Sequence, residues 1–187
     1  TTSSNTIGGP VEAGAGVGIN QNKHIIGIAK AYLTYVGRGP FPTEIKSSLA
    51  EKIREKGQEY GTTTGRPRRI GWIDLVQLKY ANQINVFTEL VLTKVDVLSG
   101  LSKIKMCVGY TINNERINYV PSDLERFGQI EPVYETVEGW ESLPEKINSI
   151  DECPIQLKTF IKKIEETTGN HISLISYGPD RNQTFKL

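Results

Sequence analysis

Apolar positions along the chain switch between the two-residue period of strands and the helical period of about 3.6. "HIIGIAKAYLTYVG" (24–37) is apolar and β-rich and predicts a strand ending at Gly37. "GRGPFPTE" then interrupts regular structure with two prolines and two glycines in eight residues. Ile45, Leu49 and Ile53 follow at helical spacing, with Gly57 placed as the C-terminal cap. Asp74 suits the N-cap of a helix that puts Leu75, Leu78 and Ala81 on one face. "ELVLT" (89–93) and "IKMCVGY" (104–110) predict two strands, and Asn113-Asn114 a hairpin tip. Residues 121–153 read as loop-rich, with one strand in "PVYETVEGW". Leu157, Phe160, Ile161 and Ile164 give the clearest helix, closed near Gly169 and followed by the strand pair "HISLIS" and "QTFKL". Residues 1–23 are glycine-rich and predict a loop with little regular structure. Strands alternating with helices predict an α/β fold.

Composition narrows the class. At 187 residues, 37% hydrophobic and 23% charged, the chain suits one well-buried globular domain. No apolar run approaches the roughly 20 residues of a membrane span, and the polar opening "TTSSN" carries no signal-peptide pattern. Cys107 and Cys153 make neither a ligand cluster nor a disulfide framework, which fits a reducing, cytoplasmic setting. A formal net charge of +1 argues against binding a polyanion such as nucleic acid. The single methionine is Met106, and the chain begins within a small-residue loop, so a fragment or trimmed chain is expected.

Chemistry concentrates in three loops. In "LTKVD", Lys94 and Asp96 follow a buried strand, at the end where α/β sheets bind ligands. The Asp96 carboxylate could accept from guanine N1–H and its N2 amine, while the Lys94 stem covers the base and its ammonium stays in water. "YGTTTGRPRRIGWID" (60–74) has no acid before Asp74 and offers small residues whose backbone N–H groups and hydroxyls can cradle an oxyanion. Arg66 and Arg68, held apart by Pro67, could each bind an oxyanion bidentately. "ISYGPDR" places Ser176, Gly178 and Pro179 in a tight turn after another strand. Residue types alone leave bland readings open: an exposed Lys-x-Asp turn, a solvated basic loop and a plain turn. The glycine-rich start has no Gly-Lys-Ser/Thr and so is not a P-loop. His24 and His171 stand isolated near strand starts and read as structural or surface residues.

Taken in order, "TSSN … GGP … VGRGPFPTE … EYGTTTGRPRRIGWIDL … LTKVDVLSGL … SYGPDR" resembles the carboxyl-terminal part of the adenylosuccinate synthetase family across nearly all 187 residues. Each block is modest alone; the ordered set is specific. The resemblance implies a mixed, mainly parallel sheet flanked by helices, with residues 1–187 forming the carboxyl-terminal part of a larger P-loop-like, GTP-dependent ligase domain. It implies a cytoplasmic, homodimeric parent of AMP biosynthesis. That enzyme joins IMP and L-aspartate through 6-phosphoryl-IMP, using GTP and Mg²⁺, and yields adenylosuccinate, GDP and phosphate. Carried onto this chain, Lys94, Val95 and Asp96 read guanine, and Ser176, Tyr177 and Gly178 close over the same base. Thr62, Thr63, Thr64, Gly65, Arg66, Pro67 and Arg68 form the loop that grips the aspartate carboxylate. Arg66 also touches IMP, Arg68 links aspartate to GTP, and Thr2, Val36 and Gly37 line the IMP site.

Two positions depart from the family pattern. Tyr177 stands where a smaller residue is expected, so its ring is expected to pack outward; Ser99 replaces a second acid. The catalytic groups and the Mg²⁺ ligands are expected in an amino-terminal part, so the 187-residue chain alone is expected to be inactive. The competing readings are a non-catalytic guanine-nucleotide or anion-binding module, and an RNA-binding protein that uses the arginine loop.

Overall fold

A computed structural model describes residues 6–16, 18 and 24–187. In chain order they form α1 (Gly9–Glu12), β1 (Ile26–Lys30), β2 (Tyr32–Tyr35), α2 (Ser48–Gly57), β3 (Arg69–Asp74) and α3 (Leu75–Asn85). Then come β4 (Glu89–Thr93), a 3-10 turn at Val95–Leu98, β5 (Lys103–Ile112), β6 (Glu115–Ile117) and α4 (Leu124–Gln129). The remainder is β7 (Glu131–Glu138), a 3-10 turn at Ile150–Glu152, α5 (Ile155–Thr168), β8 (Ile172–Ser176) and β9 (Thr184–Lys186).

The architecture is mixed α/β, with a mainly parallel sheet flanked by helices. In that sheet β1, β4 and β8 run parallel and β9 closes one edge antiparallel. Parallel neighbours share a direction, so the carboxyl ends of β1, β4 and β8 open on the same side. Lys30, the turn after Thr93 and the turn after Ser176 therefore meet there. A second sheet joins β2 to β3 and β5 to β6 and β7 antiparallel, and β3 to β5 parallel.

The strand expected over 24–37 is divided. Ala31, buried and bonded through its N–H to the Thr93 carbonyl, separates β1 in one sheet from β2 in the other. Ile45 is buried but precedes α2, and the left-handed cap of that helix is Gln58 (φ 51°) rather than Gly57. Gly57 serves another purpose, because a Cβ there would collide with the Tyr32 hydroxyl. The β5–β6 hairpin turns through Asn113 and Asn114, both with positive φ, as their residue types predict. Of the loop-rich 121–153 stretch, the strand at "PVYETVE" is found, and α4 was not anticipated.

The core lies between sheet and helices. Leu157, Phe160, Ile161 and Ile164 of α5 are buried, and Phe160 meets Trp140 at 5.5 Å between ring centroids. Asp74 ends β3 and starts α3: its Oδ1 accepts the N–H groups of Val76 and Gln77, and its Oδ2 takes the Tyr110 hydroxyl at 2.7 Å. Burial raises the Asp74 carboxyl above its ordinary pKa despite these hydrogen bonds. Asp74→Ala removes the cap and strands the buried Tyr110 hydroxyl. The expected loss is about 2–4 kcal/mol by urea unfolding, and Tyr110→Phe should cost less.

Candidate functional site

The site begins at a carboxylate that no sequence motif singles out. Glu59 follows the α2 cap and is fully buried. Its Oε1 accepts the Lys30 ammonium at 2.8 Å and the Tyr32 hydroxyl at 2.7 Å; its Oε2 accepts Arg68 at 2.6 Å. The Lys94 ammonium stands 3.4 Å from Oε1 and donates to the Gly57 carbonyl at 2.6 Å. Backbone bonds hold the hub in place, with Glu59 N–H on the Arg54 carbonyl and Arg68 N–H on the Glu59 carbonyl. Burial would raise the Glu59 pKa, but hydrogen bonds from Lys30, Tyr32 and Arg68 outweigh it and bring it down to about 2.

The sign of the resulting pH dependence follows. A carboxyl depressed from 4.5 to about 2 adds stability above its unfolded pKa and loses it as pH falls between those values. The stability gap between wild type and Glu59→Gln, from urea midpoints at descending pH, should therefore narrow between about pH 4.5 and pH 2.

Beside the hub lies a cavity of about 280 Å³ lined by Lys56, Asp96, Ser99, Ser142, Leu143, Pro144, Glu145, Tyr177 and Gln183. Lys94 takes a left-handed conformation (φ 60°) that turns the chain sharply out of β4 into the 3-10 turn bearing Asp96. Among the described residues, Asp96 Oδ1 and Ser99 Oγ are buried without a hydrogen-bond partner. Lys56 reaches over from α2 and donates to the Ser99 carbonyl at 2.8 Å. Of the expected guanine readers, Asp96 and Tyr177 line this cavity, and Lys94, Val95, Ser176 and Gly178 do not. The Lys94 ammonium is tied to Gly57 and Glu59 instead of standing free in water. The Tyr177 ring packs inward: it is buried, lies tilted against Phe185 with ring centroids 5.9 Å apart, and its oxygen accepts the Ile147 N–H at 3.0 Å. Ser176 Oγ donates to the Gly178 carbonyl at 3.3 Å, which sets the turn.

On the other side of the hub, residues 61–66 form a loop pinched at its base by a bridge between Tyr60 and Pro67. Gly61 N–H bonds to the Arg66 carbonyl and Gly65 N–H to the Gly61 carbonyl, with Gly65 in the left-handed region (φ 63°). Thr64 Oγ1 accepts the Arg66 N–H at 3.3 Å. Among the described residues nothing engages the N–H groups of Thr62, Thr63 and Thr64, or the hydroxyls of Thr62 and Thr63. The guanidinium of exposed Arg66 likewise has no ion-pair partner among them. Arg68 spends NH1 on Glu59.

Arg69 does not belong with the other arginines. It grips Glu44 bidentately at 2.7 Å, donates to the carbonyls of Gly37 and Gly39, and lies over Tyr35 and Phe41. Through that clamp it fixes the segment after β2, where Val36 is exposed and Gly37 has φ 117°. Thr2 lies outside the described residues. His171 pairs with Glu165 at 2.8 Å on the surface.

The family profile described as adenylosuccinate synthetase matches residues 1–185. The adenylosuccinate synthetase of Caldanaerobacter subterraneus subsp. tengcongensis is 47% identical over 186 residues, covering 100% of this chain and 44% of its own length. That of Clostridium perfringens is 50% identical over the same coverage. The structure superposes on a fully ligated adenylosuccinate synthetase from Plasmodium falciparum with a TM-score of 0.93, at 40% identity, over 100% of this chain and 45% of that one. A cyanophage S-2L succinoaminodeoxyadenylate synthetase, at 16% identity and a TM-score of 0.53, shares the fold alone. The chain spans about 44% of the length of the curated relatives it matches. On family profile, identity and superposition together, this chain belongs to the adenylosuccinate synthetase family.

Proposed function

We propose that the chain supplies the guanine-reading and carboxylate-gripping part of an enzyme that joins IMP to L-aspartate at the expense of GTP, forming adenylosuccinate, GDP and phosphate in AMP biosynthesis. The observation that carries this reading is the buried Asp96 Oδ1, left without a partner at the rim of the 280 Å³ cavity. An unpaired buried acceptor costs about 1–3 kcal/mol, which a ligand presenting two adjacent N–H donors would recover. Guanine presents such a pair at N1 and N2; adenine does not. Lys94 then acts chiefly through its backbone, whose left-handed turn aims Asp96 at the cavity, and Tyr177 and Gln183 line it from the connection between β8 and β9.

In the loop, the three threonine N–H groups and two hydroxyls make a nest for one carboxylate, that of aspartate. Arg66 is free to reach the same carboxylate and IMP, while Arg68 sits between this loop and the guanine side, where it can serve both. Val36 and Gly37, in the segment that the Arg69 clamp holds, would line the IMP site. Magnesium would accompany the GTP phosphates. Its ligands are proposed to lie in the rest of the protein. The working protein is proposed to be a cytoplasmic homodimer. Substituting Asp96 tests the reading, with the outcome set out below.

A further inference from the structure

We propose that Glu59 is a positioning residue that couples the carboxylate loop to the guanine cavity, so that filling one tightens the other. The proposal rests on the reading of the two subsites given above.

Arg68 is the exit residue of the loop, and Lys94 starts the turn that carries Asp96. Both send a cation to the same carboxylate, and among the described residues neither has a second acidic partner. The carboxylate cannot simply follow either one. Lys30 from β1 and Tyr32 from β2 hold Oε1, which anchors it to both sheets. The two cations are unequally bound: Arg68 at 2.6 Å, Lys94 at 3.4 Å. A substrate anion in the loop draws the Arg68 guanidinium toward itself and weakens its hold on Oε2. A buried carboxylate losing a partner is costly, and Lys94 is the cation with distance left to close. Moving it onto Glu59 fixes the left-handed turn and, with it, Asp96 at the cavity. By linkage, a guanine nucleotide that fixes the turn must favour carboxylate binding by the same factor.

The test uses the complete enzyme, this chain joined to the remaining length its relatives carry, with IMP present throughout. Calorimetric Kd values for GDP are measured with and without saturating aspartate. Wild type is expected to bind GDP about five- to tenfold more tightly with aspartate, at the low end of known site-to-site couplings. Glu59→Gln should still bind GDP but lose that enhancement, and Glu59→Asp should recover part of it. Full enhancement in the Gln variant overturns the proposal. Should the Gln variant fail to fold, Lys94→Met gives the same reading from the other side. It should raise the aspartate KM about fivefold, although Lys94 belongs to the guanine turn; an unchanged aspartate KM again overturns the role of Glu59. A wild-type enzyme that binds no guanine nucleotide sinks the assignment of the subsites instead.

Discussion

Asp96→Asn in the complete enzyme is expected to raise the KM for GTP by about 10²-fold or more, while the KM for IMP stays within about twofold. The variant keeps the shape of the side chain and reverses its sense. Where Asp96 presents two acceptor oxygens to the cavity, Asn presents one acceptor and one N–H₂ donor. Two charge-assisted hydrogen bonds are worth about 1.5–3 kcal/mol each, and about 1.4 kcal/mol is a factor of ten. The fold should not suffer, because Asp96 Oδ1 has no partner to lose among the described residues. Steady-state kinetics with GTP and IMP varied separately decides it. Equal rises in both KM values would mean that Asp96 supports the site as a whole and does not read guanine.

The 187-residue chain on its own is expected to form no adenylosuccinate from IMP, GTP, aspartate and Mg²⁺, and coexpression with the remaining segment should restore product. Every role proposed above is one of binding or positioning a substrate. The glycine-rich start lacks the Gly-Lys-Ser/Thr of a phosphate loop. The exposed apolar edge points the same way. Among the described residues β1 pairs with β4 alone, and Ile26 and Ile28 stand 51% and 76% exposed beside Tyr80 and Ile84. Product formed steadily by the purified chain, followed chromatographically, would overturn this expectation.

Elements with a local signature were legible in the sequence. Asn113-Asn114 could only be a turn with positive φ, α5 carried its apolar stripe up to Gly169, and "ELVLT" gave a strand ending at the site. Elements set by distant partners were not. β3 opens with an arginine and includes a glycine, so it reads as loop; the Glu44 clamp and buried neighbours make it a strand. Glu59 follows "REKGQ", a run that looks like a solvated helix end, and its burial depends on donors from β1, β2, the loop and the turn after β4. The resemblance placed Asp96 and Tyr177 near one base, but the direction of the Tyr177 ring depended on Phe185 and Ile147. Arg69, next to Arg68 in sequence, opens β3 and turns to Glu44 and the carbonyls of Gly37 and Gly39, while Arg68 turns to Glu59.

The order of these parts along the chain has a consequence for biosynthesis. All partners of the Glu59 hub lie between Lys30 and Lys94, whereas the cavity gains Tyr177 and Gln183 only much later. A polypeptide leaving the ribosome amino end first therefore emerges with every charge of the hub while the cavity beside Asp96 still lacks a wall. A chain truncated before Tyr177 would carry the cation cluster beside a cavity that lacks one of its walls.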